Sequence, residues 1–260
     1  DFAPVDEKGF VDVEALGALI RPDTTLVSIM AVNNEIGSIQ PIEAISELLA
    51  DKPTISFHVD AVQALAKIPT EKYLTDRVDF ATFSSHKFHG VRGVGFVYIK
   101  SGKKITPLLT GGGQERDYRS TTENVAGIAA TAKALRLSME KLDIFTNKAG
   151  QMKSVIRQAL LDYPDIFVFS DEEDFAPHIL TFGIKGVRGE VIVHAFEDYD
   201  IFISTTSACS SKAGKPAGTL IAMGVDKDKA QSAVRLSLDL ENDMSQVEQF
   251  LTKLKLIYNQ

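Results

Sequence analysis

Three short apolar runs, residues 26–32, 54–59 and 78–83, each break off into a polar turn, and helix-forming sequence separates the first two. This rhythm constrains the fold more than any other feature of the chain. Apolar runs of that length, flanked by turns, read as buried strands. Strands alternating with helices build a mostly parallel sheet covered by helices. Pro41 opens the intervening helix, in which Ile42, Ile45 and Leu49 share one face. Residues 95–100 read as a hairpin partner for the third strand. In a parallel sheet, ligands bind beyond the carboxyl ends of the strands. Asn34, Asp60 and Lys87 stand just past such ends, three unlike polar groups on one expected rim.

The second half has a different texture. A glycine-rich turn, Gly111-Gly112-Gly113, leads through Arg119-Ser120-Thr121-Thr122 into a long helical stretch from about Val125. Beyond a charged region at 142–148, residues 178–184 and 201–204 read as strands. Residues 189–199 and 247–257 read as helices, the last with Val247, Phe250, Leu251 and Leu254 at core spacing. The expected architecture is therefore α/β. A large, mostly parallel-sheet domain covers residues 1–142, and a smaller α+β domain covers 143–260. A formal charge of −7 over 260 residues argues against general nucleic-acid binding. No apolar run is long enough to span a bilayer. A single cysteine excludes an intrachain disulfide, which fits a reducing compartment, the cytoplasm. His89, His178 and His194 lack metal-ligand spacing, so no metal site is expected.

Chemistry concentrates at Ser84-Ser85-His86-Lys87, directly after the third apolar run. A lysine at the end of a strand, inside a polar turn, suits an amine that must hold an aldehyde cofactor. Upstream, the second run ends in Asp60-Ala61-Val62-Gln63, which offers an acid for a pyridine nitrogen. Together they read as the two halves of a pyridoxal 5′-phosphate site. Each residue has a plainer explanation when taken alone. Lys87 would be a surface lysine, Asp60 a helix cap, Asn34 a turn residue and Arg235 an ordinary ion-pair partner. His58 reads as structural, alternating away from the site face. Cys209 lies in a stretch rich in serine, glycine and lysine, which favours an exposed, reactive thiol over a buried one.

Six motifs, in order, carry a resemblance. They are Met30-Ala31-Val32-Asn33-Asn34-Glu35-Ile36-Gly37, His58-Val59-Asp60-Ala61-Val62-Gln63, Ser84-Ser85-His86-Lys87, Gly111-Gly112-Gly113-Gln114-Glu115-Arg116, Ser207-Ala208-Cys209 and Ala233-Val234-Arg235-Leu236-Ser237. The set resembles the cysteine desulfurases, members of the class V, fold-type I pyridoxal phosphate enzymes. The resemblance implies roles. Lys87 would bind the cofactor aldehyde and move protons at the substrate Cα. Asp60 would face the pyridine nitrogen and Gln63 the ring's phenolic oxygen. Asn34 would bond the same edge or the substrate. Ser84, His86 and Thr122 would hold the phosphate, Thr122 from the neighbouring subunit of a homodimer. Arg235 would clamp the carboxylate of L-cysteine. Cys209 would take the sulfur as a persulfide and pass it to an acceptor protein, an iron-sulfur scaffold or a tRNA-thiolating enzyme. Thr121, Ala31 and the pair Asp239-Leu240 stand where the family usually has glycine, histidine and Gly-Arg.

The chain aligns with the later two-thirds of that family, so the resemblance implies a large domain incomplete at its N-terminus and a fragment of a longer chain. Other readings are a selenocysteine lyase, a class V aminotransferase, or an inactive fragment that only binds partners. Conversion of L-cysteine to L-alanine is the expected activity, because the proposed chemical groups are all present.

Overall fold

The computed structural model describes residues 1–206 and 218–259. These residues divide into two compact units. One unit comprises residues 22–31 and 42–141; the other comprises 1–21, 32–41 and 142–260.

The first unit is built on a four-stranded sheet in the order β1 (Leu26–Met30), β2 (Ser56–Asp60), β3 (Phe80–Ser84), β4 (Gly95–Ile99). The first three strands are parallel and β4 returns antiparallel to β3. This is the mixed, mostly parallel α/β sheet expected from the rhythm of apolar runs. The strands alternate rather than being buried throughout. Val27, Ile29, Phe57, Val59 and Ala81 are buried on one face, while Leu26, Ser28, Met30 and Asp60 are exposed on the other. Helix α2 (Ile42–Leu48) buries Ile42 and Ile45 as the sequence predicts. The predicted long helical stretch opens as α3 (Val125–Met139), capped by the side chain of Asn124, which accepts from the Gly127 amide.

The amino ends of β2 and β3 are fastened by a buried ion-pair network. Asp79, 2 % exposed, accepts from the Phe57 amide at 2.9 Å and from the Arg77 guanidinium at 2.8 Å. Lys103 Nζ lies 3.2 Å from its other oxygen. Arg77 also donates to the carbonyls of Leu49, Lys52 and Ile55, at 2.9, 3.1 and 2.6 Å.

The second unit has an antiparallel sheet in the order β5 (Ile166–Val168), β6 (Ile179–Ile184), β8 (Val234–Ser237), β7 (Ser204–Thr205). Helices α4 (Leu142–Leu161), α5 (Gly189–Glu197) and α8 (Met244–Tyr258) supply Phe145, Met152, Ile156, Ile192, Phe196 and Phe250 to its core. Three shorter helices complete the unit: α1 (Val13–Leu19), α6 (Gly218–Ala222) and α7 (Lys227–Gln231). The sequence predicts a strand over 201–204, but only Ser204 and Thr205 pair. Ile201, Phe202 and Ile203 instead line a groove of about 300 Å³ with Val247 and Phe250 of α8. The groove is lined by Leu236 and Ser237 of β8 as well, so these residues face the strand and helix without joining the ladder. Among the described residues no helix is long and apolar enough to cross a membrane.

One buried cation in this unit makes a testable contribution to stability. Lys153 is 3 % exposed, donates to the Ala176 carbonyl at 3.0 Å, and lies 5.4 Å from the centre of the Phe175 ring. Burial, helped by nearby Arg157, pulls its pKa down to about 8. The unfolded amine titrates near 10.5, so between these values the unfolded chain binds more protons than the folded one. Stability therefore rises with pH across this window. The burial opposes folding by about 3 kcal/mol at neutral pH. Lys153→Met is expected to raise stability at pH 7 by about 1–2 kcal/mol, net of the carbonyl left unbonded. Urea denaturation at pH 7 and pH 10 checks this: the gain must shrink at the higher pH.

Candidate active site

The turn that carries Lys87 is shaped by contacts below it. After β3 the chain enters one turn of 3-10 helix, Ser85–Phe88, which closes on His89 in the left-handed region at φ 66°. Gly90 follows, and a Cβ there would meet Ser85 Oγ at 1.9 Å. Only glycine permits so close a return of the backbone. Ser85 is fully buried and its hydroxyl shares a hydrogen bond with Thr131 of α3 at 2.9 Å. Seven residues along the same helix, Ser138 Oγ donates to the Phe88 carbonyl at 3.1 Å. Helix α3 thus holds the Lys87 turn at both ends.

Around that turn, side chains are left with polar atoms to spare. Lys87 and Ser84 are half-buried and His86 is exposed. None of the three has a side-chain hydrogen bond among the described residues, and Ser84 does not cap the turn. Asp60, at the carboxyl end of β2, accepts from the Val62 amide at 3.0 Å through one oxygen. Its other oxygen is uncommitted among the described residues. Gln63, half-buried in the following turns, is uncommitted too. The pairing of β2 with β3 sets Asp60 opposite Thr82, so the strand ends that lead on to Gln63 and to Ser84, His86 and Lys87 lie side by side. Thr122 is exposed in the segment before α3 and no described bond joins it to these strand ends. An amine, a carboxylate, an amide, a hydroxyl and an imidazole can together hold a small anionic ring compound.

The second unit brings together Asn34 and Arg235. Arg235, on β8, donates through Nη1 to the Asn34 carbonyl at 2.6 Å. The whole turn around Asn34 is locked in place. Asn33 Oδ1 accepts from the amides of Glu35 and Ile36 at 2.8 and 3.0 Å. Thr181 and Ser170 donate to the carbonyls of Glu35 and Ile36, both at 2.5 Å. Gly37, at φ 87°, accepts from the Ala176 amide at 2.7 Å. A Cβ there would press on Ile179 at 2.9 Å. Cys209 lies outside the described residues.

Sequence reasoning missed Ser85, Thr131 and Ser138, which fix the lysine turn. The two hydroxyls on one face of α3, seven residues apart, were the available signal. It also set His58 aside. The strand register places His58 on the same face of the sheet as Asp60, with its ring between Ser28 and Thr82. Desolvation holds its pKa below the ordinary imidazole value, partly offset by the Asp60 carboxylate.

The sequence model of the family described as Aminotransferase class-V matches residues 1–250. The chain belongs to the class-V aminotransferase family. Within that family it is similar to a NifS/IcsS protein homolog of Lactobacillus delbrueckii subsp. bulgaricus, 52 % identical over 256 residues, 98 % of this chain and 66 % of that protein. A protein named cysteine desulfurase IscS from Clostridium botulinum is 38 % identical over 263 residues, covering 100 % of this chain and 66 % of the relative. The chain thus spans about two-thirds of the length of these relatives. A solved NifS-like protein superposes with a TM-score of 0.91 at 38 % identity, over 100 % of this chain and 68 % of the other. The class-V resemblance read from six motifs, and the fold-type I architecture it implied, are therefore borne out.

Proposed function

We propose that this chain carries the chemistry of a cysteine desulfurase, converting L-cysteine to L-alanine with pyridoxal 5′-phosphate and placing the sulfur on Cys209. The observation that carries the reading is the rim of uncommitted groups at the ends of β2 and β3, in a chain whose relatives include proteins named cysteine desulfurase. The donor set fits the cofactor. Lys87 would hold the aldehyde carbon, Asp60 a proton on the ring nitrogen, Gln63 the phenolic oxygen, and Ser84 and His86 the phosphate. Thr122 would add to the phosphate of the other subunit of a homodimer. The bound cofactor supplies an electron sink for the substrate Cα. Lys87, with its amine uncommitted, takes and returns protons at that carbon. Asp60 would hold the proton on the ring nitrogen. Asn34 orients the substrate, and Arg235, anchored beside it, binds the substrate carboxylate. The Cys209 thiolate attacks the substrate sulfur, so the C–S bond breaks, a persulfide forms and alanine leaves. An acceptor protein, an iron-sulfur scaffold or a tRNA-thiolating enzyme, then takes the sulfur in the cytoplasm.

The test is to supply L-cysteine and cofactor to the full-length protein, then to measure alanine and map the persulfide. Sulfur on Cys209 in step with alanine supports the reading. Alanine formed equally well by Cys209→Ser, or amino transfer to an oxo acid with no sulfur released, would replace it with a transaminase.

A further inference from the structure

A row of polar side chains, Ser28, His58 and Thr82, crosses three parallel strands beside Asp60. His58 Nδ1 lies 2.7 Å from Ser28 Oγ on β1, and His58 Nε2 lies 3.1 Å from Thr82 Oγ1 on β3. The surroundings make this row unusual. Its face also carries Leu26, Met30, Phe80 and Val97, and amid these apolar side chains both ring nitrogens of His58 find a hydroxyl. A neutral imidazole has one donor and one acceptor, and the two hydroxyls satisfy both in either tautomer. The groups that face His58 are Ser28, Thr82 and, on its own strand, Asp60, the one charged group among them.

The direction of the second bond matters. In the ladder His58 stands opposite Phe80, and Thr82 stands opposite Asp60. The imidazole therefore reaches diagonally toward the rim and grips the residue that pairs with Asp60. Thr82 is also two residues before Ser84 and five before Lys87. We propose that His58 is a positioning residue: through Thr82 it fixes the strand bearing Asp60 against the strand bearing Lys87, at the spacing demanded by the two ends of one rigid cofactor ring. This rests on the pyridoxal phosphate reading of the rim. The carboxylate and the amine come from different strands, and the ring between them cannot stretch. Main-chain pairing continues one bond further, the Ala61 amide donating to the Thr82 carbonyl at 3.0 Å, and the imidazole adds a side-chain tie to the same residue on the face that carries the Asp60 carboxylate. Misplacement of a reacting group by a fraction of an ångström is enough to lower its effectiveness severalfold or more.

The experiment uses the full-length protein with Thr82→Val, Thr82→Ser and His58→Leu. Each is checked for folding by circular dichroism and thermal melting. Pyridoxal phosphate is titrated in, and the pH midpoint of the visible absorbance of the bound cofactor is recorded. For Thr82→Val, which keeps the shape and removes the hydroxyl, about tenfold weaker cofactor binding and a displaced midpoint are expected. Thr82→Ser is expected to restore both, and His58→Leu to match or exceed the valine variant. A purely structural bond would lower the melting temperature and leave the midpoint in place. A folded Thr82→Val protein with unchanged affinity and midpoint overturns the proposal, whatever His58→Leu does. Wild-type protein that acquires no cofactor absorbance at all overturns the reading of the rim, and this proposal with it, before any variant is made.

Discussion

Replacing Lys87 by alanine is expected to abolish covalent capture of pyridoxal phosphate while leaving the fold intact. Borohydride reduction of the wild-type protein with the cofactor should fix one cofactor-sized mass on the peptide containing Lys87. The same treatment of Lys87→Ala should fix none. Alanine formation from L-cysteine should fall by about 10³- to 10⁴-fold, the scale of losing a positioned proton carrier. The structure makes this a clean substitution. The lysine amine has no partner among the described residues, and the turn is held by Ser85, Thr131 and Ser138, not by Lys87 itself. An unchanged melting temperature with lost capture assigns the residue to chemistry. An adduct that persists in Lys87→Ala places the reactive amine elsewhere and removes the central residue of the proposed site.

Asp79→Ala is expected to have the largest effect on stability, a loss of about 3–5 kcal/mol. Removing the carboxylate strands the Arg77 guanidinium, whose remaining acceptors are neutral carbonyls, and leaves the buried Phe57 amide without its acceptor. The amino ends of β2 and β3 come apart first, at the opposite end of the strands from Lys87. The pH dependence has a definite sign. Burial pushes the Asp79 pKa up, but the Phe57 amide, Arg77 and Lys103 outweigh it and hold the group below the ordinary carboxylate value. A depressed folded pKa means that its contribution is complete above about pH 4 and is lost as the pH falls through the folded value. The stability gap between wild type and Asp79→Asn should therefore be constant from pH 5 to 7 and close progressively below pH 4. Denaturant melts at four or five pH values measure it. A gap unchanged at pH 3 would mean that the carboxylate is not the bonded, ionised group drawn by the geometry.

The legible part of this protein is what depends on short stretches of chain. Apolar runs ending in polar turns set the strands of the first sheet, and the β4 hairpin follows from proximity. The same local logic sets Asn34, Asp60 and Lys87 just past apolar runs; in the structure Asp60 is the last residue of β2 and Lys87 lies in the turn that follows β3. Where the reading slipped, the deciding contacts came from far along the chain. Residues 201–203 look like strand because they are apolar and partly β-branched, yet Ile201 and Ile203 pack against a core to which α8, more than 40 residues later, contributes Val247 and Phe250. His58 looks like a packed histidine because nothing nearby in sequence announces Ser28 or Thr82.

By itself, then, the sequence determined the sheet-forming periodicity of the chain and the chemical identity of the groups at its strand ends. Periodicity is a property of neighbouring residues, and side-chain chemistry is carried by each residue alone. Only the tertiary structure decided how the turn bearing Asn34 is built. That turn lies between β1 and α2 in sequence. Its carbonyls nevertheless accept from Ser170, Ala176, Thr181 and Arg235, all more than 130 residues downstream. Buried backbone groups must find donors, and these donors became available only when the second unit folded around the turn.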